Sequence, residues 1–365
     1  MPSFLKLIQI GGCKMAKVRV LNAQNISHLL DMPAVINAVQ DAYQEKSAKT
    51  GEIWPMVYHA FSDMADMDIR SGALQPKRIF GNKLLAWFGN NAQQNLPELN
   101  GLVTLYSSET GEPVGIINAP ALTGYRTGAA GAVASRALAN PHSDTLLMVG
   151  AGGQALYQIM AQLCVLPEIT TVEIYDPMNQ KNAESFAREA ESRLTELFSQ
   201  NIQENEPSIA VKIEKRLSTV KFVTVSDLAA AVKDAQVIIT ATPSTKPLIK
   251  AEWVQAGTHI NAIGADMAGK QELDTAIFAH AAAYVDDLEQ ATTVGETKNP
   301  IKTGFLKKAD VHEIGAVLTK QAPGRQNDKQ ITVFDSTGIA LQDLEAANLA
   351  LQRASNHHVG TTIEL

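Results

Sequence analysis

The chain has 365 residues, 45% hydrophobic and 19% charged, a composition that suits about two or three folded domains and excludes extensive disorder. Its net charge of −7 gives no overall reason to hold a polyanion, so no nucleic acid is expected. Two cysteines, Cys13 and Cys164, make neither a disulfide framework nor a four-thiolate site, and the eight histidines show no ligand spacing, so no metal is expected.

The opening segment MPSFLKLIQIGGCKMAKVRV has a short apolar stretch, interrupted by Lys6, with no clean cleavage site. Residues 1–14 are read as an optional extension of a cytoplasmic protein. A helix is expected over DMPAVINAVQDAYQEKSAKTG. Strand-like runs follow at Met56–Phe61, Leu84–Phe88, GLVTLYSS and PVGIINA, with a turn at TGEP. This region reads as an α+β domain. Residues 145–167 carry no charge, but Gly150, Gly152 and Gly153 break the run and Gln154, Gln158 and Gln162 form a polar stripe. They read as a buried strand, tight turn and helix, with no membrane span.

A long helix is expected from Pro177 to about Gln200, then a polar surface loop over 201–208. VKFVTV, SDLAAAVKDA, QVIITAT, KAEWVQAG, THINAIG, ELDTAIFAHA and AAYVDD continue a strand–helix alternation. Repeated crossovers of this kind imply an α/β fold with a Rossmann-type, doubly wound parallel sheet. Ser226, not Asp227, is expected to cap the helix of SDLAAAVKDA. The strand QITVFD and the helix of DSTGIALQDLEAANLALQRASN are expected beyond that sheet, returning to the first domain. The expected division is therefore a discontinuous substrate-binding and dimerisation domain, 15–136 with 332–365, and a Rossmann NAD(P)-binding domain, 137–331.

The strand TLLMVG runs into Gly150-Ala151-Gly152-Gly153-Gln154-Ala155, a G-x-G-x-x-A turn before a helix. The first glycine permits the tight turn, the second lets the backbone approach a pyrophosphate, and the small third residue lets helix and strand pack closely. Gly150, Gly152, Gly153 and Gln154 are thus candidate cofactor residues. Asp176 ends the next strand, where a carboxylate accepts from ribose hydroxyls and repels a 2′-phosphate. No Arg follows it, so NAD(H) is favoured and NADP(H) stays open, with Lys181 as the opposing residue. Thr242, Pro243 and Ser244 end a later strand and are expected along the cofactor. Gly264 and Asp266 lie in the turn NAIGAD, at a strand's carboxyl end, where ligands bind in such sheets.

These motifs together resemble the ornithine cyclodeaminase/mu-crystallin family. The segments that carry the likeness are YRTGAA (125–130), GAGGQA, NAIGAD with GKQELD, VDDLEQA, and GRQNDKQITVFDSTGIALQD. Within the family the chain is most similar to the archaeal-type alanine dehydrogenases. The resemblance implies a homodimer acting on a small amino or imino acid, with hydride passing between nicotinamide and the substrate α-carbon. The expected activity is reduction of a small 2-oxo acid with ammonia, or of a cyclic ketimine such as 1-pyrroline-2-carboxylate. The alternatives are an ornithine cyclodeaminase, a lyase that recycles NAD, and a non-enzymatic mu-crystallin-like binding protein.

Such chemistry needs fixed cations for a carboxylate and a proton donor and acceptor for an imine. Lys83, a lone charge in FGNKLLAWFGNN, either snorkels to the surface or is paired in a pocket; the resemblance makes it a carboxylate ligand or proton-transfer group. Arg70, in MDIRSGAL, matches a substrate-binding Arg of the alanine dehydrogenase branch. Arg126 is expected just before a small-residue helix, RTGAAGAVAS, within reach of phosphate and carboxylate, with Thr127 beside it. The resemblance makes Asp266 the catalytic acid. Ser336 and Thr337, in the DST turn, are expected to approach the nicotinamide from the other domain. Two departures from the family pattern matter. Met56 stands where a basic residue is common, and Arg70 stands where the cyclodeaminases carry an acid, which disfavours the side-chain ammonium of ornithine.

Overall fold

The computed structural model describes residues 15–199 and 215–365. The extension over 1–14 and the polar loop over 201–208 lie outside the described residues. Two eight-stranded sheets organise the rest. The first contains β1 (Lys17–Leu21), β2 (Gly51–Ile53), β3 (Val57–Ser62), β4 (Ala65–Leu74), β5 (Ile79–Phe88), β6 (Leu99–Ser107) and β7 (Pro113–Asn118). Strands β4 to β7 form an antiparallel meander. Helix α1 (Ala23–Leu29) and helix α2 (Met32–Ser47) follow β1, and α2 is capped by Asp31. The C-terminal helix Ala340–Asn356 packs on α2 and across β4, β5 and β6.

Helix α3 (Ala119–Leu138) leads out of this sheet. Asn118 caps it and Pro120 occupies its first turn, which suits the fixed φ of proline. Arg126 therefore lies inside α3, not before its start as the small-residue run suggested. The glycines have another use: a Cβ at Gly128 would meet the Tyr157 carbonyl oxygen at 2.4 Å. They let α3 lie close against α4 (Ala155–Val165).

The second sheet comprises β8 (Thr145–Val149), β9 (Thr171–Tyr175), β10 (Lys221–Thr224), β11 (Val237–Thr240), β12 (His259–Ala262), β13 (Ala281–Val285), β14 (Val311–Glu313) and β15 (Ile331–Asp335). Every pairing in it is parallel, in the order β10-β9-β8-β11-β12-β15-β13-β14. The order reverses beside β8, and the crevice at such a switch point is where open α/β sheets bind ligands. Strands β11 and β12 are buried throughout, as expected of strands covered on both faces. Helix α5 (Gln180–Ser199) packs against β9 and β10. It starts three residues after Pro177.

Four further elements differ from expectation. The strand of QITVFD is β15, paired between β12 and β13, so it belongs to the parallel sheet and only the helix after it returns to the first. KAEWVQAG and ELDTAIFAHA form short 3₁₀ segments, Ala251–Trp253 and Thr275–Ala279: the first ends where Val254 turns extended (ψ 127°), and β-branched Thr275 and Ile277 disfavour a longer helix in the second. Asp227, not Ser226, caps Leu228–Asp234, accepting from the Ala230 N–H at 3.1 Å. Asp227→Ala should therefore cost about 0.5–2 kcal/mol of local stability, read as faster amide hydrogen exchange over Leu228–Asp234. Ser226→Ala should leave that exchange unchanged, and the reverse ranking would contradict the cap.

Candidate active site

Strands β4 and β5 place Arg70 directly opposite Lys83. Strand alternation turns both side chains to the helix-covered face, where Lys83 is 1% exposed and Arg70 6%. Two buried cations need counter-charge. The C-terminal helix supplies it through Asp343, whose Oδ2 lies 3.0 Å from Lys83 Nζ and whose Oδ1 lies 3.0 Å from Arg126 Nε. Arg126 also donates to Gln342 Oε1 at 3.1 Å. Arg70 donates to the carbonyls of Thr337, at 2.6 Å, and Gly338, and Asp68 stands 3.5 Å from its Nε.

Burial, reinforced by Arg126, pushes the Lys83 ammonium down to about 8 against the pull of Asp343. Burial alone would raise Asp343, but Arg126 and Lys83 outweigh it and hold the carboxyl below its ordinary range. The acid stays ionised between two cations, one of which titrates near neutrality.

The facing wall comes from the carboxyl ends of the parallel strands. Buried Glu272 accepts from the Thr240 hydroxyl (2.8 Å), the Thr242 N–H (2.7 Å) and hydroxyl (2.6 Å), and the Gly264 N–H (2.8 Å). It thereby ties the end of β11 to the turn after β12. Burial raises its pKa, and these bonds oppose the rise. Asp286 does the same for the DST turn, accepting from Thr337 Oγ1 (2.9 Å), Gly338 N–H (2.6 Å) and Ser336 Oγ (3.3 Å). Asp286 thus holds the Thr337 and Gly338 carbonyls that grip Arg70. Asp266 leaves the same wall and pairs with Lys270 at 2.7 Å.

Between the walls lies a cavity of about 280 Å³. Arg70, Lys83 and Arg126 line one side; Asp266, Thr242, Pro243, Gly264, Ser336 and Thr337 line the other, with Gln154 at the glycine turn and Thr127 on α3. Ser244 is outside the lining, and its hydroxyl donates to the Lys246 carbonyl. The hydroxyls of Thr242, Ser336 and Thr337 are engaged by Glu272 and Asp286, so they brace the walls. Met56 is exposed and absent from the lining.

The glycine turn suits a dinucleotide. Gly150 sits at φ +106°, where an added Cβ would meet the Ala241 carbonyl oxygen at 2.6 Å, so only glycine makes this turn without strain. At Gly152 and Gly153 an added Cβ would find nothing within 4 Å: the turn faces open space. Helix α4 starts there without a side-chain cap, and the buried Gln154 Oε1 has no hydrogen-bond partner. Free N–H groups at a helix start beside an open turn fit a pyrophosphate. Asp176, after β9, accepts from the N–H groups of Met178 (2.9 Å) and Asn179 (3.1 Å) and from Asn182 Nδ2 (2.7 Å).

Sequence reasoning missed Asp343, Gln342, Glu272 and Asp286. The one hint for Asp343 was its spacing from Ala340 and Ala347 on one helical face, which by itself does not tell a buried acid from a solvated one.

A parallel switch-point sheet facing a basic, helix-covered cavity defines a two-lobed α/β protein with a Rossmann-type sheet. The chain belongs to the ornithine cyclodeaminase/mu-crystallin family, whose model matches residues 16–200 and 195–358. It is 35% identical to an alanine dehydrogenase of Archaeoglobus fulgidus over 349 residues, covering 94% of this chain and 98% of the relative. A solved archaeal alanine dehydrogenase dimer with bound NAD superposes with a TM-score of 0.83 at 34% identity, covering 96% of this chain and 99% of that one. The Δ1-pyrroline-2-carboxylate reductase of Thermococcus litoralis, solved with NADH and L-proline, gives a TM-score of 0.83 at 26% identity, over 94% of this chain and all of that one.

Asp343→Ala leaves Lys83 and Arg126 without their shared acid and should destabilise the protein by about 3–5 kcal/mol. Lys270→Ala, at a partly exposed pair, should cost under about 1 kcal/mol. Urea unfolding of both variants checks the contrast, and equal midpoints would contradict it.

Proposed function

We propose that the protein is an NAD(H)-dependent oxidoreductase that interconverts a small 2-amino acid and its imine, with NADP(H) as a weaker cofactor. The observation that carries this reading is the convergence of Arg70, Lys83 and Arg126 opposite Asp266 in one cavity that opens on the glycine turn. The parallel sheet, 137–335, is the cofactor lobe. The first sheet with the C-terminal helix is the substrate and dimerisation lobe, which moves the proposed boundary past β15. NAD(H), when bound, supplies or accepts the hydride. Gly150, Gly152, Gly153 and the start of α4 would hold its pyrophosphate, and Asp176 its ribose.

In this reading Arg70, Lys83 and Arg126 grip the substrate carboxylate and fix the α-carbon towards the parallel-sheet wall. Asp266 moves a proton at the imine or amine nitrogen. Lys270, 2.7 Å away, fixes the position of that carboxylate. The helix-covered wall excludes water from the carboxylate end. We also propose a cytoplasmic homodimer, formed through the apolar residues that β3 and its neighbours leave exposed, Val57, Tyr58, Phe61, Leu84 and Phe88.

The test follows absorbance at 340 nm. Net NADH loss with pyruvate plus ammonia, or with 1-pyrroline-2-carboxylate, supports the reading. Ammonia release from ornithine without net NADH change would replace it with a cyclodeaminase, and tight ligand binding without any turnover with a binding protein. Asp266→Asn should lower the rate by about 10²–10⁴-fold while NADH fluorescence titration stays near wild type; undiminished turnover would remove the assignment. Lys83 is charged below a pKa of about 8 and neutral above it. Substrate KM should therefore rise as pH climbs through about 8, and Lys83→Ala should abolish that dependence. A wild-type KM flat from pH 7 to 9 would contradict the carboxylate role.

A further inference from the structure

The ladder between β4 and β5 changes charge along its length. Arg70 faces Lys83, the next rung on the same face pairs Asp68 with Leu85, and the one beyond pairs Asp66 with Trp87. On β6 the same three rungs end at Val103, Gly101 and Leu99. Residues two apart share a face and lie about 6.6–6.8 Å apart. The innermost rung is cationic and buried; the outer rungs are anionic and apolar and more open. Asp68, Leu85 and Leu99 line the cavity with Arg70 and Lys83.

No cation on the described walls is left over for a second anion beside those outer rungs. Lys270 is paired with Asp266 and also acts on Asp66. Arg70 is committed to the α-carboxylate in the reading above and already faces Asp68. Asp68 Oδ1 is buried and makes no hydrogen bond, its nearest charge being Arg70 Nε at 3.5 Å.

Resting on the reading above, a substrate whose α-carboxylate occupies the inner rung and whose α-carbon faces the opposite wall sends its side chain along Asp68, Leu85 and Leu99. We propose that these outer rungs make the enzyme selective for monocarboxylic substrates: Asp68, seconded by Asp66, repels a second carboxylate, while Leu85 and Leu99 accept an apolar side chain. A side-chain carboxylate there would lose its water and meet like charge within one rung. Asp68 is in this sense a specificity-determining residue, acting on the part of the substrate that does not react.

The full-length enzyme with NAD⁺ tests the proposal, using L-alanine, L-proline, L-aspartate and L-glutamate as probes at one ionic strength. The expected kcat/KM for aspartate and glutamate is at least about 30-fold below that of the better monocarboxylic acid, on the order of what one like charge at this range imposes. Asp68→Asn should narrow the ratio about tenfold, chiefly through the KM for the dicarboxylic acids, and Asp66→Asn should narrow it less. Binding without turnover, as inhibition by propionate against succinate, should follow the same ranking. Should Asp68→Asn fail to fold, Asp66→Asn carries the test alone. Aspartate turning over as well as alanine or proline, or a ratio unmoved in every folded variant, overturns the selectivity and leaves the proposed activity standing. No oxidation of any probe with either NAD⁺ or NADP⁺ overturns the activity and the selectivity together.

Discussion

One carboxylate organises the basic half of the cavity. Asp343 stands between Lys83 and Arg126 at 3.0 Å from each, and neither cation would be tolerable at this depth without it. Taking charges out of water costs several kcal/mol apiece. The arrangement therefore places two cations at the cavity face for a single acid, with a net positive charge left for a ligand. Arg70 is held differently, by two backbone carbonyls and by Asp68, 3.5 Å from its Nε.

The opposite half depends on buried acids of another kind. Glu272 and Asp286 bind backbone N–H groups and hydroxyls at strand ends, and burial raises both pKa values. Asp335 is pushed up to about 7, burial again being the main cause. These groups pin loops that have no regular structure of their own. Asp286 fixes the DST turn, and that turn grips Arg70, so the parallel sheet reaches into the basic cradle through a chain of hydrogen bonds. Local geometry in the site is set by carboxylates that never face the cavity.

The glycine turn was legible in the sequence because its constraint is local: Gly150 must reach φ +106°, and a strand precedes it and a helix follows. Lys83 was legible as a charge inside an apolar strand. Asp343 was harder to read, because an acid on an amphipathic helix looks solvated until the cations opposite are known, and these come from distant parts of the chain, Lys83 on β5 and Arg126 on α3. The placement of β15 was equally silent. Nothing in QITVFD says which sheet it joins, since that depends on the edges left open by β12 and β13. Neighbouring cap formers, as at Ser226 and Asp227, differ only in which backbone angle the chain adopts. At α3 the small residues drew attention to packing and away from Asn118 and Pro120, which mark the true start.

The last stretch of the chain closes what the first stretch began. The C-terminal helix lies on β4, β5 and β6, and β16 (Thr361–Glu364) pairs with β1 (Lys17–Leu21). During synthesis, then, the amino-terminal sheet emerges from the ribosome long before its cover does, with Arg70 and Lys83 still hydrated. The cradle becomes dry, and its cations become paired, only once Ala340–Asn356 has been made, so a nascent chain cannot assemble this site piecemeal.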